Sequence, residues 1–281
     1  MQIISTIAGL RARLDSERSI AFVPTMGNLH QGHLDLMRLA REHGDCVVAS
    51  IFVNPLQFGP SEDFDKYPRT LDEDCAKLQS LADVVFAPPV SEMYPVRQSV
   101  FVEPPPVANE LCGASRPGHF RGMATVVLKL LNILQPQVAL FGKKDYQQLH
   151  IIRQMVAQLN LQVRIVAGET VRAADGLALS SRNQYLSLAQ RSEAVFLYQT
   201  LQSMRQGILN GERDLERLQQ RAVEALVARG WSVDYVAVRN QSDLRPVGQL
   251  QVPVQRELVI LAAAKLGETR LLDNVELSLV D

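Results

Sequence analysis

Four short apolar runs, each followed by a segment of helical character, constrain the fold of the first half of the chain most strongly. The runs are "SIAFVP", "CVVASIFV", "DVVFAPP" and "VALFG", and their residues are apolar on both faces of a strand. Strands of this kind are typical of parallel sheets that are covered by helices on both sides. The alternation predicts an α/β domain over residues 1–175, built on a Rossmann-like, doubly wound parallel sheet.

Two patterns predict helices between these strands. Thr70 and Glu73 form a Thr-x-x-Glu pair before "DCAKLQSLA", which predicts a capping box at a helix start. In "MATVVLKLLNIL" the apolar residues recur at helical spacing and predict a buried stripe. The stripe consists of Met123, Val126, Val127, Leu130, Leu131 and Leu134.

The pattern changes after residue 175. Ser187 and Gln190 predict a capping box that opens one long helix, "LAQRSEAVFLYQTLQSMRQGIL", and "DLERLQQRAVEALVARG" predicts a second helix. Three strand-like runs follow, "VDYVAVRN", "ELVILAAAK" and "TRLLDNVEL". Helices followed by strands predict a smaller α+β domain over residues 176–281, with a mostly antiparallel sheet.

The composition is that of an ordinary globular protein. The chain has 281 residues, of which 47% are hydrophobic and 21% charged, and its net charge is −1. No block of one charge favours a nucleic acid or a membrane surface. The N-terminal residues lack a secretory leader, the apolar runs are too short to span a bilayer, and three widely spaced cysteines suit a reducing compartment. We therefore expect a cytoplasmic protein without a nucleic-acid or membrane partner.

The stretch "TMGNLHQGH" follows the first predicted strand, and we call its residues 26–33 the histidine turn. In an open α/β sheet, ligands bind where the carboxyl ends of the strands lead into helices. Gly27 and Gly32 allow a close approach of the backbone, and a helix start here is expected to offer unpaired N–H groups to phosphate. His30 and His33 are three residues apart, so both imidazoles can face the same ligand from the first helical turn.

Three interpretations of the histidine turn stay open on spacing alone. Phosphate binding is favoured, an ordinary turn with incidental histidines is the second, and a zinc site completed by His43 and Cys46 is the third. The zinc site is disfavoured because about three helical turns, roughly 15 Å, separate the two pairs. The chain has neither a Gly-x-x-x-x-Gly-Lys-Ser/Thr loop nor a Gly-x-Gly-x-x-Gly turn, which argues against a P-loop NTPase and a dinucleotide oxidoreductase.

The turn carries the His-x-Gly-His pattern of a superfamily of nucleotidyl transferases. Together with "SIFVNPLQF", "YPRT", "RPGHFRG", "DYQQL" and "DGLALSSRN", the string "FVPTMGNLHQGH" resembles the pantoate–β-alanine ligase (pantothenate synthetase) family. These motifs occur in order from about residue 20 to residue 187. The resemblance implies an ATP-dependent ligase that condenses D-pantoate with β-alanine through a pantoyl adenylate and releases AMP and pyrophosphate. It also implies Mg²⁺ with the ATP, small-molecule substrates and a homodimer. The alternative is a related nucleotidyl transferase that adenylylates another small acid or a phosphate-bearing acceptor.

The resemblance also implies roles for individual residues. It makes His30, His33 and Lys144 the catalytic residues, although Lys143 replaces the glutamate that the family has before its lysine. We favour Lys144 because "DYQQ" fixes its register. The implied nucleotide-binding residues are Met26, Gly27, Asn28, Leu29, His30, Gln31, Gly32, His33, Gly142, Lys143, Lys144, Asp145, Val171, Leu179, Ser180, Ser181 and Arg182.

Neutral amides are implied for the substrate acid, since an amide hydrogen-bonds hydroxyl and carboxylate groups without acting as a nucleophile. These amides are Asn54, Gln57 and Gln148. Further candidates for substrate contact are Arg116, His119 and Arg121. The acids Asp72, Glu73 and Asp74 are open to two interpretations, as magnesium partners or as the acids favoured at a helix start, and we assign no metal ligand.

Overall fold

The computed structural model describes residues 1–60, 62–247 and 255–280. The chain divides into two compact units, each built from several segments. The first unit comprises Met1–Ala108, Arg116–Lys143 and Ile151–Thr170. The second unit comprises Asn109–Ser115, Lys144–His150 and Val171–Asp281. The domain boundary predicted at residue 175 stays a prediction.

The first unit is built on a parallel sheet, which confirms the predicted fold class. Its strands lie in the order β1-β4-β3-β2-β5-β6, and each neighbouring pair is parallel. From β2 the chain proceeds to β3 and β4 on one side and to β5 and β6 on the other, so the carboxyl end of β2 lies at the topological switch point. The strands are β1 (Gln2–Ile4), β2 (Ile20–Thr25), β3 (Cys46–Ile51), β4 (Val84–Phe86), β5 (Val138–Gly142) and β6 (Arg164–Gly168).

Helices connect the strands of both units. The α-helices are α1 (Ile7–Leu14), α2 (Gln31–Arg41), α3 (Leu71–Leu78), α4 (Val90–Met93), α5 (Cys112–Ser115), α6 (His119–Leu134), α7 (Tyr146–Gln158), α8 (Leu188–Glu193), α9 (Val195–Leu209) and α10 (Leu215–Ala228). Short 3₁₀ turns cover Pro55–Gln57, Pro106–Asn109, Lys143–Asp145 and Ser181–Tyr185. The predicted apolar stripe of α6 is buried at every one of its six positions. None of the helices in the described ranges has the length and apolar character needed to cross a bilayer.

The second unit contains the predicted antiparallel sheet, in the order β7-β8-β9. Its strands are β7 (Trp231–Asn240), β8 (Gln255–Leu266) and β9 (Thr269–Val280). Apolar residues of α9, α10 and the sheet form one buried core, which includes Leu201, Leu226 and Trp231. The single long helix predicted from residue 188 is present as α8 and α9, joined by Ala194, whose backbone angles stay helical.

The two predicted capping boxes have opposite outcomes. At α8 the box is confirmed, because Ser187 Oγ accepts the N–H of Gln190 and the Gln190 side chain accepts the N–H of Ser187. At α3 the prediction is wrong, since Thr70 occupies the N-cap position but its side chain caps no helical N–H. The Thr70 hydroxyl instead donates to Asp74 Oδ2 at 3.0 Å. A buried carboxylate one turn along the helix therefore competes successfully for this hydroxyl.

Candidate active site

The histidine turn begins where β2 ends, at the switch point of the sheet. Its first residues have left-handed backbone angles, with φ of +85° at Gly27 and +51° at Asn28. A Cβ atom at position 27 would lie 3.1 Å from Asp74 Oδ2, so glycine fits both the conformation and the space. The Asp74 carboxylate accepts the N–H of Asn28 at 2.8 Å and the N–H of Leu29 at 2.7 Å. The turn is thus attached to the start of α3.

His30 and His33 form the cap of α2 with their own side chains. His30 is the N-cap residue, and its Nδ1 accepts the N–H of Gly32 at 3.2 Å. His33 Nδ1 accepts the N–H of His30 at 3.3 Å, and the ring centroids lie 4.1 Å apart. Because each Nδ1 is an acceptor, a neutral imidazole in this arrangement carries its proton on Nε2. Both histidines therefore offer an Nε2–H donor.

Four backbone N–H groups around this helix start are paired within the chain, against the expectation of unpaired N–H groups at these positions. Asn28 and Leu29 donate to Asp74, while His30 and Gly32 donate to the two imidazoles. The reason is that the capping box and a buried carboxylate supply acceptors from within the chain. Donors for an anion at this position are then side-chain Nε2–H groups rather than these amides.

The third interpretation of the turn, a zinc site with His43 and Cys46, gains no support. Across residues 1–60, 62–247 and 255–280, no group of three or more histidine, cysteine or acidic side chains is arranged to hold a metal ion. Cys46 is buried at the start of β3, and this burial raises the pKa of its thiol to about 11. A thiol with so high a pKa is a poor source of the thiolate that zinc requires.

Asn54 and Gln57 follow β3 at the same edge of the sheet. Asn54 is 1% exposed, and its amide is engaged on both sides. Its Oδ1 accepts from Tyr94 Oη at 2.8 Å and from the N–H of Leu56 at 3.3 Å. Its Nδ2 donates to Gln57 Oε1 at 3.0 Å and to the Gly122 carbonyl at 3.3 Å. Asn54 therefore holds Gln57 in place, and its own contact with a substrate stays a prediction.

Gln57 contacts the histidine turn directly. Its Nε2 donates to Met26 Sδ at 3.1 Å, and a thioether is a weak acceptor. Gly122 lets α6 approach the 3₁₀ turn Pro55–Gln57 closely, because a Cβ atom at Gly122 would lie 2.0 Å from the Leu56 carbonyl oxygen. The side-chain amide of Gln57 is thus held beside Met26. Its bond to the Met26 thioether is weak, so a stronger acceptor on a ligand can replace it.

A series of hydrogen bonds between charged and polar side chains holds the backbone of Gln57. His119 Nδ1 donates to the Gln57 carbonyl at 2.8 Å, and Arg116 donates to His119 Nε2 at 3.0 Å. Arg116 also pairs with both oxygens of Glu62, at 2.7 and 2.6 Å. Burial raises the pKa of Glu62, but the hydrogen bond and charge of Arg116 outweigh it and leave that pKa below its ordinary value. Arg116 and His119 therefore act on the chain itself in this structure, and Arg121 pairs with Glu103 at 3.2 Å.

The two lysines in the loop after β5 belong to different units. Gly142 ends β5 and lies against Leu36 of α2. Lys143, in the first unit, forms an ion pair with Glu169 at 2.7 Å. Lys144 belongs to the second unit and lines a small cleft together with Ser180.

Residues 171–179 of the second unit form a short hairpin. The N–H of Leu179 donates to the Val171 carbonyl at 2.9 Å, and Arg172 pairs with Ala178 as an antiparallel bridge. Gly176 provides the turn with φ of +100°. Two predicted nucleotide-binding residues, Val171 and Leu179, are thereby placed side by side.

Residues 179–182, which we call the serine–arginine loop, lead from this hairpin into a 3₁₀ turn. Ser180 is its N-cap, and Ser180 Oγ accepts the N–H of Arg182 at 3.3 Å. Asn183 also lines the cleft, and its Nδ2 donates to the Ala178 carbonyl. Its buried Oδ1 has no hydrogen-bond partner among the described residues, which makes Asn183 a cleft residue that the sequence did not single out.

The remaining predicted residues lie at the starts of two helices. Asp145 is exposed just before α7, and Gln148 is half-buried in the first turn of α7. Gln31 opens α2, and its side chain donates to Asp35 Oδ1 at 2.8 Å. Residues that the sequence reasoning missed are Tyr94 and Glu62, and the contact of Asp74 with the histidine turn was also missed. These contacts join positions 40 to 54 residues apart and leave no local pattern.

Known proteins resemble this chain over nearly its whole length. The model of the pantoate-beta-alanine ligase family matches residues 2–276. A curated pantothenate synthetase from Nitrosospira multiformis is 56% identical over 279 residues, which are 99% of either chain.

Two solved structures show the same similarity. A pantothenate synthetase from Thermus thermophilus is 45% identical, with a TM-score of 0.91 and coverage of 98% of this chain and 99% of that one. A pantoate-beta-alanine ligase from Francisella tularensis, complexed with beta-gamma ATP and beta-alanine, is 36% identical, with a TM-score of 0.79 and coverage of 98% and 97%. With the family model matched from residue 2 to residue 276, this chain belongs to the pantoate–β-alanine ligase family of enzymes.

Proposed function

We propose that this chain joins D-pantoate to β-alanine in an ATP-dependent reaction that passes through a pantoyl adenylate and releases AMP and pyrophosphate. The observation that carries the proposal is the histidine turn, where His30 and His33 cap α2 through their Nδ1 atoms at the switch point of the sheet. The family supports it, as does the Francisella tularensis relative complexed with beta-gamma ATP and beta-alanine.

The first step is adenylation. A carboxylate oxygen of pantoate attacks the α-phosphorus of ATP, the bond from that phosphorus to the bridging oxygen breaks, and pyrophosphate leaves with the electron pair. Negative charge grows on the phosphate oxygens, so donors already fixed in place lower the barrier. His30 and His33 supply such donors from Nε2, and the ammonium of Lys144 adds a positive charge.

The second step forms the amide. The neutral amine of β-alanine attacks the acyl carbon of the adenylate, the bond from that carbon to the AMP oxygen breaks, and the nitrogen loses its extra proton. Neither step requires a covalent bond to the enzyme. The contribution of the protein is then positioning and charge stabilisation.

The remaining nucleotide contacts are proposed by resemblance and supported by local geometry. Val171 and Leu179 lie side by side on a hairpin for the adenine, and Ser180 shares a cleft with Lys144. The other proposed nucleotide contacts are Met26, Gly27, Asn28, Leu29, Gln31, Gly32, Gly142, Lys143, Asp145, Ser181 and Arg182.

For the substrate acid we propose Gln57 and Gln148 as direct contacts. Gln57 Nε2 is bonded to a thioether, and a carboxylate or hydroxyl oxygen of pantoate is a stronger acceptor. Asn54 contributes chiefly by holding Gln57, because its four hydrogen-bonding positions contact the chain itself.

Magnesium is proposed to accompany ATP, bound chiefly through phosphate oxygens as is usual for this ion. Bound Mg²⁺ would offset part of the triphosphate charge. A homodimer is proposed from the resemblance alone, and a cytoplasmic location from the sequence features described above.

The test is the formation of AMP from ATP by the purified protein. We expect AMP and pyrophosphate in equal amounts, with steady turnover only when both pantoate and β-alanine are present. ADP as the product, or AMP formation without pantoate, would contradict the proposal. Turnover with a phosphate-bearing acceptor in place of pantoate would favour the related nucleotidyl transferase.

A further inference from the structure

Asp74 is a fully buried acid whose carboxylate serves another part of the first unit rather than its own helix. Its side chain is 0% exposed in the first turn of α3. The two oxygens accept three hydrogen bonds, from the N–H groups of Asn28 and Leu29 and from the Thr70 hydroxyl. Burying a carboxylate is unfavourable unless such donors replace water. The position of Asp74 is therefore tied to the conformation of the histidine turn.

The N–H and the carbonyl group of Leu29 are both hydrogen-bonded by residues of α3. The N–H of Leu29 donates to Asp74, and the Leu29 carbonyl accepts from Lys77 Nζ at 2.9 Å. Lys77 Nζ also lies 3.9 Å from Asp74 Oδ1, so the two charges stabilise each other. The next residue is His30, the N-cap of α2. A shift at Leu29 would consequently move the imidazole that caps the helix.

The conformation that Asp74 holds is a left-handed one. Asn28 has φ of +51°, a region that asparagine enters more readily than other non-glycine residues. Two successive N–H groups that converge on one anion form a recurrent backbone arrangement, and the anion stabilises it. Here the anion is part of the protein, so the arrangement is formed before any ligand arrives.

We propose that Asp74 is a positioning residue for the adenylation step, which acts through Asn28 and Leu29 to set the Nε2 groups of His30 and His33. The inference rests on the proposed function, because the step it affects is the attack on the α-phosphate. Its oxygens are occupied by chain donors, which separates this role from that of a magnesium ligand.

The test replaces Asp74→Asn, which keeps the shape of the side chain. One carboxylate oxygen becomes an NH₂ group that must face a backbone N–H or the Thr70 hydroxyl, so two donors oppose each other at the turn. We expect pyrophosphate formation from ATP and pantoate in a single turnover to slow on the order of 10²-fold, as for a misplaced reactive group. The reaction of β-alanine with supplied pantoyl adenylate should keep most of its wild-type rate.

A matched control is Asp83→Asn. Asp83 Oδ2 accepts the N–H of Val47 at 2.8 Å near the start of β3, at the amino edge of the sheet. This variant also loses a carboxylate that holds a backbone N–H, but it leaves the histidine turn alone. We expect a lower melting temperature and no selective loss of adenylation.

A second variant tests the hydrogen bond to the carbonyl group of Leu29. Lys77→Met keeps the apolar stem of a side chain that is 38% exposed and removes the bond to the Leu29 carbonyl. We expect a smaller loss in the same adenylation step. This variant decides the matter if Asp74→Asn fails to fold.

Several outcomes would overturn the inference. They are wild-type adenylation in either Asp74→Asn or Lys77→Met, an equal loss of both chemical steps, or a loss in Asp74→Asn that added Mg²⁺ restores. Failure of the proposed function has a different signature, because the wild-type protein itself would then form no AMP from ATP, pantoate and β-alanine.

Discussion

The histidine turn and the serine–arginine loop are both proposed to contact ATP, but hydrogen bonds within the chain hold the turn more completely than the loop. In the turn, four backbone N–H groups have acceptors from a buried carboxylate or a capping imidazole. In the loop, Ser180 Oγ accepts the N–H of Arg182, and the buried Oδ1 of the neighbouring Asn183 has no partner in the described part of the chain. This contrast predicts that changes in the turn lower the rate of adenylation, whereas changes in the loop lower the affinity for ATP.

The largest expected effect is at His33. His33→Ala should lower kcat by about 10²-fold or more, because it removes a preorganised donor at the phosphate. The fold should remain intact in circular dichroism, with a small loss of stability from the missing cap.

A matched variant separates capping from catalysis. His33→Asn keeps an acceptor near the position of Nδ1 for the N–H of His30 but removes the Nε2 donor. We expect it to regain stability and to stay as slow as His33→Ala. Wild-type turnover in either variant would contradict the role of the turn.

The next effect distinguishes the two lysines after β5. Lys144→Ala should lower kcat by about 10²-fold, as for loss of a charge that stabilises the transition state. Lys143→Ala should lower kcat less, since Lys143 is paired with the exposed Glu169. Loss of such a surface ion pair also changes stability little. Steady-state kinetics of the two variants side by side measure this, and the reverse order would show that Lys143 has taken over the role.

A smaller effect is expected in the serine–arginine loop. Ser180→Ala should raise the KM for ATP about tenfold with little change in kcat, because a hydrogen bond to a charged group is lost. The control is Ser187→Ala, another serine N-cap of the second unit. It should cost about 1 kcal/mol of stability and leave the KM for ATP unchanged. An effect of Ser180→Ala on kcat alone would remove the contrast between the two regions.

The smallest effect concerns the stability that the first unit gains from the ion pair of Glu62 and Arg116, which is linked to the Gln57 carbonyl through His119. The pKa of Glu62 lies below its ordinary value of 4.5, since Arg116 outweighs the effect of burial. A lowered folded-state pKa means that the pair stabilises the fold above pH 4.5 and that this stabilisation is lost as the pH falls through the lower, folded-state pKa. The free energy of unfolding of Glu62→Gln, measured in urea, should therefore fall below that of the wild type at neutral pH and approach it in acid. A constant difference across that pH range would exclude this linkage.

Much of the fold could be predicted because the signals are local. Apolar runs located the buried strands, helical spacing identified the buried stripe of α6, and Ser187 with Gln190 marked the start of α8. The same kind of reasoning was wrong at Thr70, where a local pattern met a stronger nearby acceptor, Asp74. It also missed that four amides of the histidine turn are paired within the chain. Local rules hold only while no buried group from elsewhere competes for the same hydrogen bond.

The sequence by itself determined the fold class, the family and the order of the motifs, since each of these is encoded in residues close together along the chain. Tertiary structure alone decided what holds the motifs in place. Asp74 reaches the histidine turn across 45 residues, and Tyr94 reaches Asn54 across 40, because a parallel sheet gathers the carboxyl ends of its strands at one edge. Hydrogen bonds between residues so distant in the chain leave no period or spacing to read, and they exist only once the strands have paired.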